Sequence, residues 1–202
     1  MLSRKLPLLL LVGAPSVCAA SAATPVAAPN VVQLAAVDVL GEPVRIGPEQ
    51  RRSTILFFMS KRSREASSEF GRVVDERLLE APVESVAIVD VRKYGGWLRG
   101  LATSRMQKSE REARARRRER RIARGADASD AAVNRWHLVG DFDGALFARF
   151  GVGADPERPL AFLVDPRGEL RGPYRDPDAL CAAVARLASP SRAEARRAIV
   201  AR

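Results

Sequence analysis

The sequence predicts an α/β fold in which a central mixed sheet is flanked by helices. Three observations carry that reading. Residues 55–59, Ile-Leu-Phe-Phe-Met, and residues 85–91, centred on Val86-Ala87-Ile88-Val89, are apolar runs of strand length; strands covered on both faces read this way. Between them, Ala66, Phe70, Val73, Val74 and Leu78 recur at three- and four-residue steps and form one helical stripe. Further on, Asp165-Pro166-Arg167-Gly168 separates two strand-like runs. Pro166 presets φ and Gly168 accepts a strained turn, so the pair reads as a hairpin. Strand, helix, strand implies a right-handed parallel crossover, whereas the hairpin adds antiparallel pairing; the sheet is therefore mixed.

The elements follow in order along 202 residues, a length that suits one domain with extensions. Residues 1–22 have a signal-peptide pattern: Arg4 and Lys5, an apolar run to Val12, then Ala20-Ser21-Ala22. The run is too short to span a membrane. Export to the periplasm or outside the cell is expected. Lipid anchoring at Cys18 is the weaker reading, because Val17 is bulky where a small residue usually stands. Residues 23–30 form a Pro/Ala-rich linker. A domain is expected over 31–188. It opens with a strand candidate at 31–40, a Gly41-Glu42-Pro43 turn and a short alternating strand at 44–46.

After the 85–91 strand, a long inserted helix is expected over about 97–124. Trp97, Leu98, Leu101, Ala102 and Met106 give its first part a stripe that can dock on the sheet. From 107 to 121 the only apolar side chains are Ala113 and Ala115, so this half is expected to project into solvent or meet a partner. Gly125 suits the helix end. Residues 136–141 then read as a strand, 143–152 as a short helix with a glycine stop, 158–164 and 169–171 as the hairpin, and 178–187 as a closing helix. A basic tail, 189–202, follows.

Charge is concentrated. The formal net charge is +10, and residues 103–124 hold ten Lys or Arg against three Glu. Cysteine usage excludes more than it suggests. Cys18 leaves with a cleaved signal, so Cys181 is the remaining thiol and no internal disulfide can form. Its helical, apolar surroundings predict a small packed side chain. His137, the only histidine, reads as structural, because metal sites need converging ligands.

The order of elements, together with 37–44, 143–152 and 158–170, resembles the thioredoxin-like superfamily, in particular its exported branch with an N-terminal strand pair. That resemblance implies a Cys-x-x-Cys after the first central strand. Here the loop reads Ser60-Lys61-Arg62-Ser63-Arg64-Glu65-Ala66 and holds no cysteine. The loop and the charged insert are also faintly similar to the periplasmic YtfJ-type family. The resemblance further implies a cis bond before Pro159 and a groove between the first helix and that proline. Candidate binding residues are therefore Lys61, Arg62, Ser63, Arg64, Arg158 and Pro159, at a helix N-terminus that favours anions.

Thiol–disulfide exchange needs an attacking thiolate. Without one, the expectation is a redox-inactive, non-catalytic binding or scaffold protein of the cell envelope, with no cofactor and no metal. An acidic protein or peptide, or an anionic membrane surface, is the expected partner. A second reading makes the helical arm the contact: Arg114, Arg116, Arg117, Arg118, Arg120 and Arg121 would meet anionic lipid or an acidic protein, nucleic acid being disfavoured for an exported chain. A third is a divergent oxidoreductase-family enzyme using other residues. Ser63 stands where a nucleophile would, but no nearby residue in sequence can activate it.

Overall fold

The computed structural model describes residues 31–188. The expected signal segment with Cys18, the linker and the basic tail lie outside these residues. A five-stranded sheet has the order β5-β4-β3-β6-β7, built from β3 (Ser53–Met59), β4 (Val83–Asp90), β5 (Trp136–Asp141), β6 (Leu160–Val164) and β7 (Leu170–Tyr174). β3, β4 and β5 run parallel, and β6 and β7 join antiparallel. A separate antiparallel pair, β1 (Leu34–Val37) with β2 (Pro43–Ile46), opens the domain.

Alternation along the central strands divides the core in two. Leu56 and Phe58 of β3, Val86 and Ile88 of β4, and Phe162 and Val164 of β6 face one layer with β1, β2 and α4 (Ala145–Arg149). There the Phe58 ring meets Phe147, Phe150 and Phe162 at centroid distances of 5.1, 5.4 and 5.7 Å. Ile55, Phe57, Ala87, Ala161 and Leu163 face the opposite layer, which holds α1 (Arg64–Arg77) and α5 (Pro177–Ala188). Residues two apart on a strand share a face, so a continuous apolar run fills both layers at once. α1 buries Phe70 and Val74 as expected, whereas Ala66 is exposed.

The hairpin between β6 and β7 is set by Asp165. Its carboxylate accepts hydrogen bonds from the amides of Arg167 (2.9 Å) and Glu169 (3.0 Å), and Gly168 sits at φ 82°. Asp141 does the same for α4, accepting from the amides of Gly144 (3.0 Å) and Phe147 (2.9 Å). The sequence reading overlooked a one-turn helix, α3 (Asp130–Val133), whose first turn is capped by Ser129. Cys181 is half-buried against the α1–α5 layer, less covered than expected, and that burial pushes its thiol pKa up.

The inserted helix corrects the sequence reading most. α2 (Leu98–Ala123) does not project into solvent. Leu98, Ala102, Met106, Glu110, Arg114, Arg117 and Arg121 recur at three- and four-residue steps and are buried or half-buried. The docking stripe therefore runs the length of the helix, but its second half is charged. Trp97 and Leu101, expected in the stripe, point outward and are 83% and 45% exposed.

Candidate functional site

The loop after β3 is held together by two serines. Ser60 directly follows β3 and Ser63 stands at the N-cap of α1. Both are buried, at 3% and 0% exposure, and their hydroxyl oxygens lie 3.3 Å apart. Ser63 Oγ accepts from the Ser60 amide (3.0 Å). Ser60 Oγ accepts from the amides of Arg62 (3.1 Å) and Ser63 (3.2 Å) and donates to the Pro156 carbonyl (2.8 Å). These bonds tie the loop to the segment before β6. Sequence reasoning chose Ser63 and missed Ser60, although the Ser-x-x-Ser spacing was visible.

Arg62 extends the tie, with Glu157 at 2.9 Å and Asp155 at 3.5 Å. Lys93 reaches Asp155 at 3.1 Å and, helped by Ser60, holds that carboxyl below the usual carboxylate range. A carboxylate stabilised in its charged form is a poor proton acceptor. The Ser63 hydroxyl is engaged by the amide and hydroxyl of Ser60.

The predicted groove residues are only partly brought together. Lys61, Arg62 and Arg64 are exposed beside the loop, and Arg158 is exposed near it. Ser60 and Arg62 contact residues 155–157 directly. The bond before Pro159 is trans; among the described residues the one cis peptide is Gly172–Pro173. Pro159 is half-buried and leads directly into β6. The expected cis-proline wall is therefore not built at this place, and the opening lies elsewhere.

That opening is a groove of about 1080 Å³ next to the same segment. Pro156, Glu157 and Arg158 line it, but none of residues 60–65 does. Its floor is the edge of one core layer: Phe150, Val152, Leu160, Phe162 and Leu170. β7 bounds one side, with Pro173 and then Arg175 at its end. Arg158 and Arg175 form no ion pair with any described residue, and the same holds for Lys61 and Arg64. Arg175 was missed in the sequence because it lies seventeen residues beyond Arg158, across the hairpin.

The arginines of the expected arm divide by face. Arg114 grips Glu42 with two bonds of 2.9 Å, reaches Asp38 at 3.3 Å and donates to Glu110 at 3.1 Å. The Arg114 bonds hold the Glu42 carboxyl below its ordinary range, and Glu42 in turn raises Arg114. Arg117 donates to Glu110 at 2.5 Å and lies over the Trp136 ring at 5.7 Å. Burial lowers the Arg117 pKa, the Glu110 charge opposing that shift. Arg120 pairs with Asp75 at 2.5 Å, and Arg121 donates to the carbonyls of Leu79 (2.6 Å) and Asp127. Only Arg116 and Arg118 of the predicted set remain exposed, paired with Glu112 and Asp130.

Asp38, Glu42 and His137 bring three possible ligand atoms within 4.8 Å of one another. The Asp38 carboxylate also accepts from the amides of Leu40 (2.8 Å) and Glu42 (2.9 Å), and its second oxygen lies 3.2 Å from His137 Nδ1. The Arg114 guanidinium is bonded to both carboxylates, so one positive charge already faces this cluster. Sequence reasoning treated His137 as solitary because Asp38 lies ninety-nine residues away.

The fold is thioredoxin-like. The structure is similar to that of a putative thioredoxin from Neisseria meningitidis, with 15% identity, a TM-score of 0.52, and coverage of 84% of this chain and 97% of that one. It is also similar to the pneumococcal exposed lipoprotein thioredoxin of Streptococcus pneumoniae, with 15% identity, a TM-score of 0.50, and coverage of 77% and 100%. No family model matches the sequence, and no curated protein matches it.

Proposed function

We propose that this chain is a non-catalytic, thioredoxin-like binding protein of the cell envelope. Its groove takes an apolar ligand with an anionic end, such as a peptide whose apolar residues precede acidic ones. One observation carries the reading: a groove of about 1080 Å³, floored by core side chains, whose lining includes Arg158 and Arg175, two arginines that pair with no acid among the described residues. Apolar floors supply affinity, and a few convergent polar groups fix orientation. Guanidinium groups suit a carboxylate at the mouth. The envelope location rests on the signal-like pattern of residues 1–22; the similar pneumococcal protein is described as exposed.

Absence of redox turnover follows from the chemistry of the loop. Exchange requires a thiolate to attack and a second thiol to resolve the mixed disulfide. Ser60 and Ser63 supply hydroxyls, and Cys181 lies on α5 with a raised pKa. A fluorescent peptide of sequence Phe-Leu-Val-Asp-Asp, titrated by anisotropy, tests the binding reading. Wild type should bind, and Arg158→Glu with Arg175→Glu should weaken it at least tenfold, as expected when attraction becomes like-charge repulsion. Equal binding by wild type and variant would overturn the groove assignment. An insulin-reduction assay tests the other half. Turnover in wild type, whether lost or retained in Cys181→Ser, would overturn the non-catalytic reading and favour the divergent-enzyme alternative.

A further inference from the structure

α2 has an outward face as well as an inward one, and that face has a composition of its own. Trp97, Leu101, Arg105, Lys108 and Arg111 follow one another at steps of four, four, three and three residues. Such spacing places them on one side of a helix, over roughly 21 Å of its length. Trp97 is 83% exposed, Leu101 is 45% exposed, and Tyr94 in the preceding loop is 42% exposed. Arg105, Lys108 and Arg111 are exposed and make no ion pair with any described residue. The acids on this side are Glu112, already near Arg116 at 4.0 Å, and Glu119.

We propose that this face of α2 docks on an anionic lipid bilayer. An indole and an isobutyl group followed by long basic stems match the layers of a membrane surface. Trp and Tyr settle at the headgroup level, and Lys and Arg reach from there to phosphates. The exposed apolar groups are few and spread out: Trp97 and Leu101 with Tyr94 in the preceding loop, and Ile122, 63% exposed, at the far end of α2. That is too small a core for a protein partner, which buries about 800 Å² a side. It is enough for shallow, reversible insertion when cations add their attraction. The inward face fixes the orientation, because Arg114, Arg117, Arg120 and Arg121 are committed to the domain. No helix among the described residues is long and apolar enough to cross a membrane, so the contact is a surface one.

The experiment is co-sedimentation of the full chain with vesicles of phosphatidylglycerol and phosphatidylethanolamine, against vesicles of phosphatidylcholine alone. Variants are compared with wild type so that residues 1–22 contribute equally to each arm. Binding should be at least tenfold stronger on the anionic vesicles and should fall steeply between 0.05 and 0.5 M salt, as expected when charges at the surface are screened. Lys108→Glu should weaken it by about fivefold or more, the worth of one basic residue near an anionic surface. Trp97→Ala should weaken it about tenfold without altering the melting temperature. Equal binding to both vesicle types, or binding unchanged by both substitutions, would overturn the proposal. So would a dimer in light scattering that Trp97→Ala dissociates, since the face would then belong to a second copy.

Discussion

The two faces of α2 carry similar residues and meet opposite fates. On the inward face, Arg114, Arg117 and Arg121 are covered; on the outward face, Arg105, Lys108 and Arg111 are exposed, beside a tryptophan that is 83% exposed. Hydrophobicity does not sort them. What sorts them is the availability of partners across the fold. Asp38 and Glu42 in the β1–β2 turn, Asp75 on α1 and Glu110 on α2 itself meet the inward arginines. Opposite the outward cations the domain has no surface. A long charged side chain can be a docking residue when its stem covers apolar surface and its head finds an acid.

The sharpest way to break this contrast is to remove the acid that two inward arginines share. Glu110 is 6% exposed and accepts from both Arg114 and Arg117. Glu110→Ala leaves Arg117 buried over Trp136 without its counter-charge. Breaking one side of a buried pair costs about 3–5 kcal/mol, so the midpoint of urea unfolding should fall markedly. Adding Arg117→Met to Glu110→Ala should recover much of the loss, because an apolar stem of similar volume can occupy the same place. A small effect of the single change would mean that α2 is held by its first three turns alone.

A milder effect comes from the rim of the same network. Arg114 keeps the Glu42 carboxyl below its ordinary value of 4.5. A carboxylate with a depressed folded pKa adds stability above its unfolded value, and that stability is lost as pH falls through the folded one. Wild type should therefore lose stability on its acid side below about pH 4.5, and Glu42→Gln should show a shallower acid limb. Glu42 is 38% exposed at the side chain, so solvent screening limits the contribution to less than about 1 kcal/mol. Thermal melts at pH 3.5, 5 and 7 check this. A Glu42→Gln curve parallel to wild type would remove Glu42 from the acid response.

The strand skeleton was legible because apolar runs report burial directly. β3, β4, β5 and β6 overlap the runs at 55–59, 85–91, 136–141 and 158–164. The α2 face was not legible because apolar periodicity counts only apolar residues. Its stripe passes from Leu98 and Ala102 to Glu110, Arg117 and Arg121 without a break in spacing. The acids that make those positions viable lie far away in sequence, Asp38 seventy-six residues from Arg114 and Asp75 forty-five from Arg120. The groove was half legible. Arg158 lines it, but the cis bond assigned to Pro159 falls instead at Gly172–Pro173. Ser60 escaped notice because a hydroxyl just after an apolar strand has no pattern until its partner, Pro156, is brought alongside.

The smallest effect on stability belongs to the outward face, and it sharpens the contrast by being small. Trp97 and Leu101 keep most or nearly half of their surface in solvent. Their removal opens no cavity and strands no buried donor, so the usual causes of large losses are absent. Trp97→Ala and Leu101→Ser should each stay within about 0.5 kcal/mol of wild type in chemical unfolding. Two neighbours set the boundary of that expectation. Arg99 lies over the Phe142 ring at 4.3 Å, and Met106 contacts the sheet near Gly140, so the first turns of α2 are docked through residues other than Trp97. A loss above about 1 kcal/mol in Trp97→Ala would mean that the indole packs on the domain in solution. The outward face would then be part of the fold, and its exposed indole could no longer be assigned to a membrane surface.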